Sequence, residues 1–508
     1  MKKKKEEKLF DAITNIPDDM IQEAADAGKK RPFLLRHKWP VLAACSLTAV
    51  GLLFFFPQPT PSPGGHEPHT AIGVENTDGT SSSAAETDPS SGGPDAPTDG
   101  SQESGFMDSP SSGFAGQLAD ILFPKALAYD DYDAKHQLLE SNPVDETFIS
   151  AVDAFSYETA SAILSQSQDN VNYSPISLYY ALAVAASGAD GETAQELLSL
   201  LGVSDSQFLS QQCSNLYRCL YTENEMGSLK IANSLWMDRR YTWKDTFIQN
   251  AADHFYSASF SVNFSDGRTG KQMADWISEQ TGHTLTPNLS LSREQILSIL
   301  NTIYFKDQWF TRFDTDKTAS APFYPTDAAP VEWDFMNTTQ YGSFVRSDTW
   351  VRASLQLKNG GSMVFVLPDE GISVRDLVAT PEQTASVFQE GETIYGTVTW
   401  SIPKFQFSTS LTLGELVQNL GVTSAFRTDA DFSGMTDAPA YFSSIRQDTY
   451  IGIDENGVEA SSFTLINLDG SAMSDNEEEM ILNRPFLYGI TTPDGSLLFV
   501  GICENPAG

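Results

Sequence analysis

Twenty-nine residues separate Glu455 from Pro485, and strand-like sequence flanks them: "TYIGID", Thr449 to Asp454, before, and "FLYGITT", Phe486 to Thr492, after. Compact domains seldom carry structureless loops longer than ~12–15 residues unless the loop is functional or disordered. A hairpin turn needs far fewer residues than this. Any fold for this chain must therefore give the segment a task, and the remaining sequence indicates what that task is.

The chain has 508 residues and a formal net charge of −36, with acid spread along its length. Such a surface is unsuited to nucleic acid, whose phosphates reward Lys and Arg, so no nucleic-acid partner is expected. Apolar residues reach 40%, enough for a sizeable core. The four cysteines (Cys45, Cys213, Cys219, Cys503) show no CxxC spacing, and a disulfide framework in so long a chain would use more. That usage fits a bacterial envelope or cytosolic protein better than an animal secreted one. Cys213 and Cys219 read as packing residues on one helix. The six histidines form no HExxH pair, so neither a metal site nor a cofactor is expected. With no G-x-S-x-G or P-loop either, the chain does not read as an enzyme.

Three regions follow one another. Residues 1–38 hold ten Lys or Arg and seven acids, with Leu9, Phe10, Ile13, Ile16, Met20 and Ile21 at near-helical spacing. They read as a cytoplasmic segment: either amphipathic helix or solvated tail. Residues 39–56, "WPVLAACSLTAVGLLFFF", carry no charge, and ~17–25 apolar residues suffice to span a bilayer. Basic residues precede the run and none follows until Lys125. The positive-inside rule then predicts a single-pass signal anchor in the cell membrane, with everything after it extracellular. A cleaved signal peptide is the alternative, although no A-x-A site follows; "LAAC", Leu42 to Cys45, also resembles a lipobox. Residues 57–117 are rich in Pro, Gly, Ser, Thr and acid and read as a disordered linker. Residues 118–508 form the folded part. Helical periodicity marks Glu146 to Leu164, Ile176 to Ala186, Thr193 to Leu201 and Gly270 to Glu279. Strand-like runs come later: "SILNTIYF", "SMVFVLP", "TVTWSIPKFQF", "TYIGID", "FLYGITT" and "LLFVGIC". Helices early and strands late predict an α+β fold.

Four motifs within that part resemble one family. "NVNYSPISLYYALAVAASGADGET" contains Asn170, Ser174, Pro175, Ser177, Gly188, Ala189, Gly191 and Thr193. "WISEQTGHTL" supplies Trp276, Thr281 and Gly282. "ILNTIYFKDQWFTRFDTDKT" supplies Asn301, Tyr304, Phe305, Lys306, Trp309, Phe313 and Thr318. "NRPFLYGITTPDGSLLFVGICENP" supplies Arg484, Pro485, Phe486, Gly495, Phe499, Gly501, Asn505 and Pro506. In that order they resemble the serpins. The resemblance implies three β-sheets, eight to nine helices and one exposed reactive-centre loop, which is the long segment above. It implies an inhibitor acting as a suicide substrate: a peptidase acylates itself on the loop, and the cut loop enters the main sheet as a new strand, releasing stored strain.

The residues accommodate that mechanism. Alternate strand residues face opposite ways. From a hinge at Glu455 and Gly457, one set is Val458, Ala460, Ser462 and Thr464, all small or β-branched. The other, Glu459, Ser461, Phe463 and Leu465, carries the charge and bulk. No Pro, which would bar a central strand, occurs from Glu455 to Met480. About 14 inserted residues would form on the order of ten ladder hydrogen bonds at ~0.5–1.5 kcal/mol each. Counting from Glu455 sets the cut at Ser471–Ala472, and counting back from Pro485 sets it near Ser474. Ser471, Ala472, Met473 and Ser474 are thus the reactive-bond candidates. Their small or apolar side chains suit an elastase-like or subtilisin-like serine peptidase better than a trypsin-like one. Asp475 to Glu479 form an acidic flank, either a solubiliser or a selector of a basic exosite. The resemblance also implies a shutter at Ser174, Ser177, Asn301 and Gln447, where Gln447 replaces the family's histidine, and Trp309 at the point of loop entry. A monomer is expected. The alternative is a non-inhibitory serpin serving as a binding or adhesion module, which bulky or charged residues on the inserting face would favour.

Overall fold

The computed structural model describes residues 116–443, 445–458 and 476–508. Helix starts follow local chemistry. Ser174 caps α3 ahead of Pro175 at its first turn, and Asp131, Asp145, Asp205 and Asp266 cap four others through their carboxylates. An acidic acceptor at a helix N-terminus satisfies orphan N–H groups and complements the helix dipole. In chain order the helices are α1 (Tyr132–Ser141), α2 (Glu146–Leu164), α3 (Pro175–Ala186), α4 (Gly191–Leu200), α5 (Ser206–Leu220), α6 (Asp245–Phe255), α7 (Gly267–Gln280), α8 (Pro381–Gln389) and α9 (Gly414–Asn419). These make nine among the described residues.

The strands are β1 (Val171–Tyr173), β2 (Thr222–Glu223), β3 (Ser228–Asp238), β4 (Ser257–Val262), β5 (Leu297–Gln308), β6 (Ala319–Phe323), β7 (Val331–Arg346), β8 (Trp350–Gln356), β9 (Ser362–Pro368), β10 (Ile394–Pro403), β11 (Phe405–Thr412), β12 (Arg446–Ile453), β13 (Gly457–Val458), β14 (Glu477–Ile481), β15 (Phe486–Thr491) and β16 (Leu497–Cys503). A seven-stranded sheet runs β11-β12-β13-β5-β3-β2, with β4 also on β3. A nine-stranded ladder runs β1-β16-β15-β9-β8-β7-β10-β14, with β6 on β7. This is the α+β arrangement expected. Two of its sheets share one ladder because β7, 16 residues long, pairs with β10 along most of its length and with β8 at its end.

β3 shows how the sheet is clad. Leu229, Ile231, Leu235 and Met237 join the main core, while Ala232 and Trp236 enter a second core with Met273, Trp276 and Ile277 of α7. A strand buried on both faces needs apolar residues at both parities, and the last eight of its eleven residues are all buried. The run "TVTWSIPKFQF", which reads as one strand, is β10 and β11 split at Lys404. Pro403 lacks the N–H that a continuous ladder would need there. Cys213, Cys219 and Cys503 are free thiols.

The expected membrane location requires correction. Among the described residues no helix is long and apolar enough to cross a membrane. The longest, α2, carries Glu146, Asp153 and Glu158 in its 19 residues, giving it a polar stripe. Residues 39–56, read above as a membrane anchor, with residues 1–38 and most of 57–117, lie outside the described residues.

Candidate functional site

The long segment begins at a tight hairpin between β12 and β13. One oxygen of the Asp454 carboxylate accepts the N–H groups of Asn456 (2.7 Å) and Gly457 (3.3 Å). The Asp454 N–H donates to the Gly457 carbonyl at 3.0 Å. An Asp folding its own turn this way is a local device that needs no tertiary help. Gly457 has φ +157°, and a Cβ there would lie 2.2 Å from the Asp307 carbonyl oxygen. Only glycine lets the chain pass that close to β5. Val458, 1% exposed, then pairs antiparallel with Ile453 of β12 on one side and with Asp307 of β5 on the other.

Around the turn, Trp309 donates its indole N–H to the Asp454 carbonyl (2.8 Å) and its backbone N–H to that of Asn456 (3.0 Å). The Glu455 carboxylate accepts the Thr318 hydroxyl at 2.7 Å and pairs with Lys404 at 3.1 Å. Burial opposes its charge, but those bonds prevail and hold the carboxyl below its ordinary range. Asp307, 2% exposed, accepts the backbone N–H of Asn359 (3.0 Å), its side-chain amide (3.1 Å) and the N–H of Gln308 (2.8 Å). Burial outweighs these bonds and pushes its carboxyl up to about 6.

A second polar cluster lies lower under the same sheet. Gln447 and Ser174 are joined twice: the Ser174 N–H donates to the Gln447 amide oxygen, and the Gln447 amide donates to the Ser174 carbonyl, both at 2.9 Å. The Ser174 hydroxyl donates to the Leu498 carbonyl (2.7 Å) and accepts the Ser177 N–H (3.4 Å). Asn301 does not join that pair. Its amide donates to Asn233 at 2.5 Å, and Asn233 donates on to the Phe255 carbonyl at 3.0 Å. The Asn301 Oδ1 and the Ser177 hydroxyl are buried with no hydrogen-bond partner among the described residues.

Glu455, Gly457, Val458 and Trp309 thus converge at one end of the β5–β12 seam, and Ser174, Ser177, Asn301 and Gln447 lie farther along it. The remaining hinge positions, Glu459, Ala460, Ser461, Ser462 and Thr464, and the reactive-bond candidates Ser471, Ala472, Met473 and Ser474 lie outside the described residues. Sequence reasoning missed Lys404, Asp307, Asn233 and Asn359. Lys404 left a trace as the one cation in an apolar run. Asp307 is the one acid in "SILNTIYFKDQW". Nothing in the sequence joins Asn359 to it, because that contact spans 52 residues.

The family model described as Serpin (serine protease inhibitor) matches residues 150–506. An alpha-1-antitrypsin-like protein of Tamias sibiricus is 29% identical over 349 residues, 66% of this chain and 83% of that protein. The crystal structure of a thermophilic serpin, tengpin, in the native state superposes with a TM-score of 0.66 at 25% identity, covering 76% of this chain and 97% of that one. Thyroxine-binding globulin complexed with thyroxine shares the fold, with a TM-score of 0.62 at 21% identity over 70% of this chain and 99% of that one.

Proposed function

The chain belongs to the serpin family, and from that premise we propose that it is a suicide-substrate inhibitor of serine or cysteine peptidases whose loop, cut between Ser471 and Ser474, inserts between β5 and β12. Support comes from β13: Val458 already occupies the strand position between them, hydrogen-bonded to both neighbours. Continuing that ladder in register brings Ser462 opposite Ile303 and Thr449, and Thr464 opposite Asn301 and Gln447. The facing positions on β12, Thr449 and Gln447, are buried, so the small set Val458, Ala460, Ser462 and Thr464 is the set that enters the interior. The small side chains around the cut favour an elastase-like or subtilisin-like target. Sparse cysteine is the sole support for a bacterial source.

The test is incubation of the full chain with a panel of elastase-like, subtilisin-like and trypsin-like peptidases, followed by denaturing electrophoresis. A covalent complex with members of the first two groups is expected. Clean cleavage of the loop with no complex from any member would overturn inhibition. It would favour a binding module instead.

A further inference from the structure

We propose that the face of the β7–β10–β14 strands left exposed among the described residues is a docking surface for the target peptidase, and that it selects peptidases with a cationic rim on the primed side of the cleft. The inference rests on the inhibitory reading above and names the partner chemistry that reading leaves open.

Strand register defines the face. Tyr341, Thr397 and Glu477 stand side by side in one row across β7, β10 and β14, and Thr339, Thr399 and Glu479 in the next. Paired residues share a face. The opposite rows hold Val398, Trp400 and Met480, all buried. On the outward face Tyr395 is 60% exposed and Tyr341 51% exposed. Glu477 and Glu479 are exposed as well. Among the described residues no Lys or Arg pairs with either carboxylate. Both tyrosines stand on strands whose opposite face is packed into the core. They are the residue type that anchors protein interfaces, offering large area at little conformational cost.

Chain length identifies the occupant. Two residues, Asp475 and Asn476, separate Ser474 from Glu477, and an extended chain covers at most ~3.3–3.6 Å per residue. A peptidase gripping any bond from Ser471 to Ser474 therefore has its primed-side rim within ~10–20 Å of β14. The chain downstream of the cut runs directly into that strand. Charge sets the preference: two unpaired carboxylates beside the cleft attract Lys and Arg on the rim and repel acid there. Such complementarity acts mainly on the rate of encounter and is screened by salt.

The test uses whichever panel peptidase forms the covalent complex fastest, the full-length chain, the double variant Glu477→Gln/Glu479→Gln, and the double variant Tyr341→Ala/Tyr395→Ala. Glu158→Gln/Glu415→Gln, two exposed acids on α2 and α9, controls for net charge. The expected result is an association rate ~5- to 30-fold lower for the first variant, with a flatter dependence on ionic strength. The tyrosine variant should also associate more slowly, and the control should be unchanged. The number of inhibitor molecules consumed per complex should stay constant, since docking precedes insertion. Wild-type rates and salt slopes in both variants would overturn the proposal while leaving inhibition intact. An equal loss in the control would overturn it too, by reducing the effect to net charge. Absence of any complex with the wild-type chain would overturn inhibition itself, and the docking surface with it.

Discussion

A buried carboxylate without an ion-pair partner is costly, and Asp307 has none among the described residues, three N–H bonds notwithstanding. Its carboxyl moves from an ordinary 3.8 to about 6 in the native state. Between those values the native protein holds a proton that the unfolded chain has released. The stabilisation from this site is therefore fully present below 3.8 and lost as pH rises through about 6. The shift corresponds to about 3 kcal/mol at ~1.36 kcal/mol per pH unit. Asp153, which burial also pushes up to about 6, acts in the same direction. Asp307→Asn should remove the Asp307 share, so the difference in unfolding midpoint between variant and wild type should change across pH 4 to 7. A constant offset over that range would mean that Asp307 titrates normally. Glu455 behaves oppositely because the Thr318 hydroxyl and the Lys404 cation hydrogen-bond its carboxylate strongly enough to offset burial.

The ladder at β13 fixes a register, and register decides which loop residues would face the interior. Ser462→Arg or Thr464→Arg would carry a charge under the sheet, beside Thr449 or Gln447. An uncompensated buried charge costs several kcal/mol, enough to slow insertion below deacylation. Either variant should be cleaved as a substrate with little covalent complex. Ser461→Arg, on the outward face, should retain most of the complex. Comparable losses at Ser461 and Ser462, read as the ratio of complex to cleaved chain, would mean that the inserted strand does not continue the register of Val458. The hairpin was foreseeable from "DENG", whose Asp and Gly are turn formers. That β13 sits between β5 and β12, rather than on an edge, was not, because Val458 meets Asp307 across about 150 residues of chain.

For the whole molecule, an inserting loop implies a native state held by a barrier rather than by depth. Cleavage between Ser471 and Ser474 should then raise the melting temperature well above that of the intact chain, as Val458 to about Leu468 gains a full set of ladder bonds. An ordinary domain nicked in a surface loop melts at the same temperature or lower. Melting curves of the intact and cleanly nicked protein distinguish the two, and an unchanged or lower midpoint in the nicked protein would count against insertion.

What the sequence determined by itself was whatever depends on neighbours along the chain. The periodicity of Glu146 to Leu164 located α2 to the residue, that of Ile176 to Ala186 located α3 but for its first residue, and the motif order identified the family. The alternation of small and bulky residues after Gly457 is likewise a property of the strand alone. Tertiary structure decided the rest. β7, with its mixed exposed and half-buried positions, gave no clear period, because parts of it face solvent, core and another sheet in turn. Lys404 and Asp307 looked like interruptions in apolar strands until the fold supplied Glu455 to one and Asn359 to the other. Whether a polar residue inside a strand is paired or stranded depends on distant segments, and only folding brings those together.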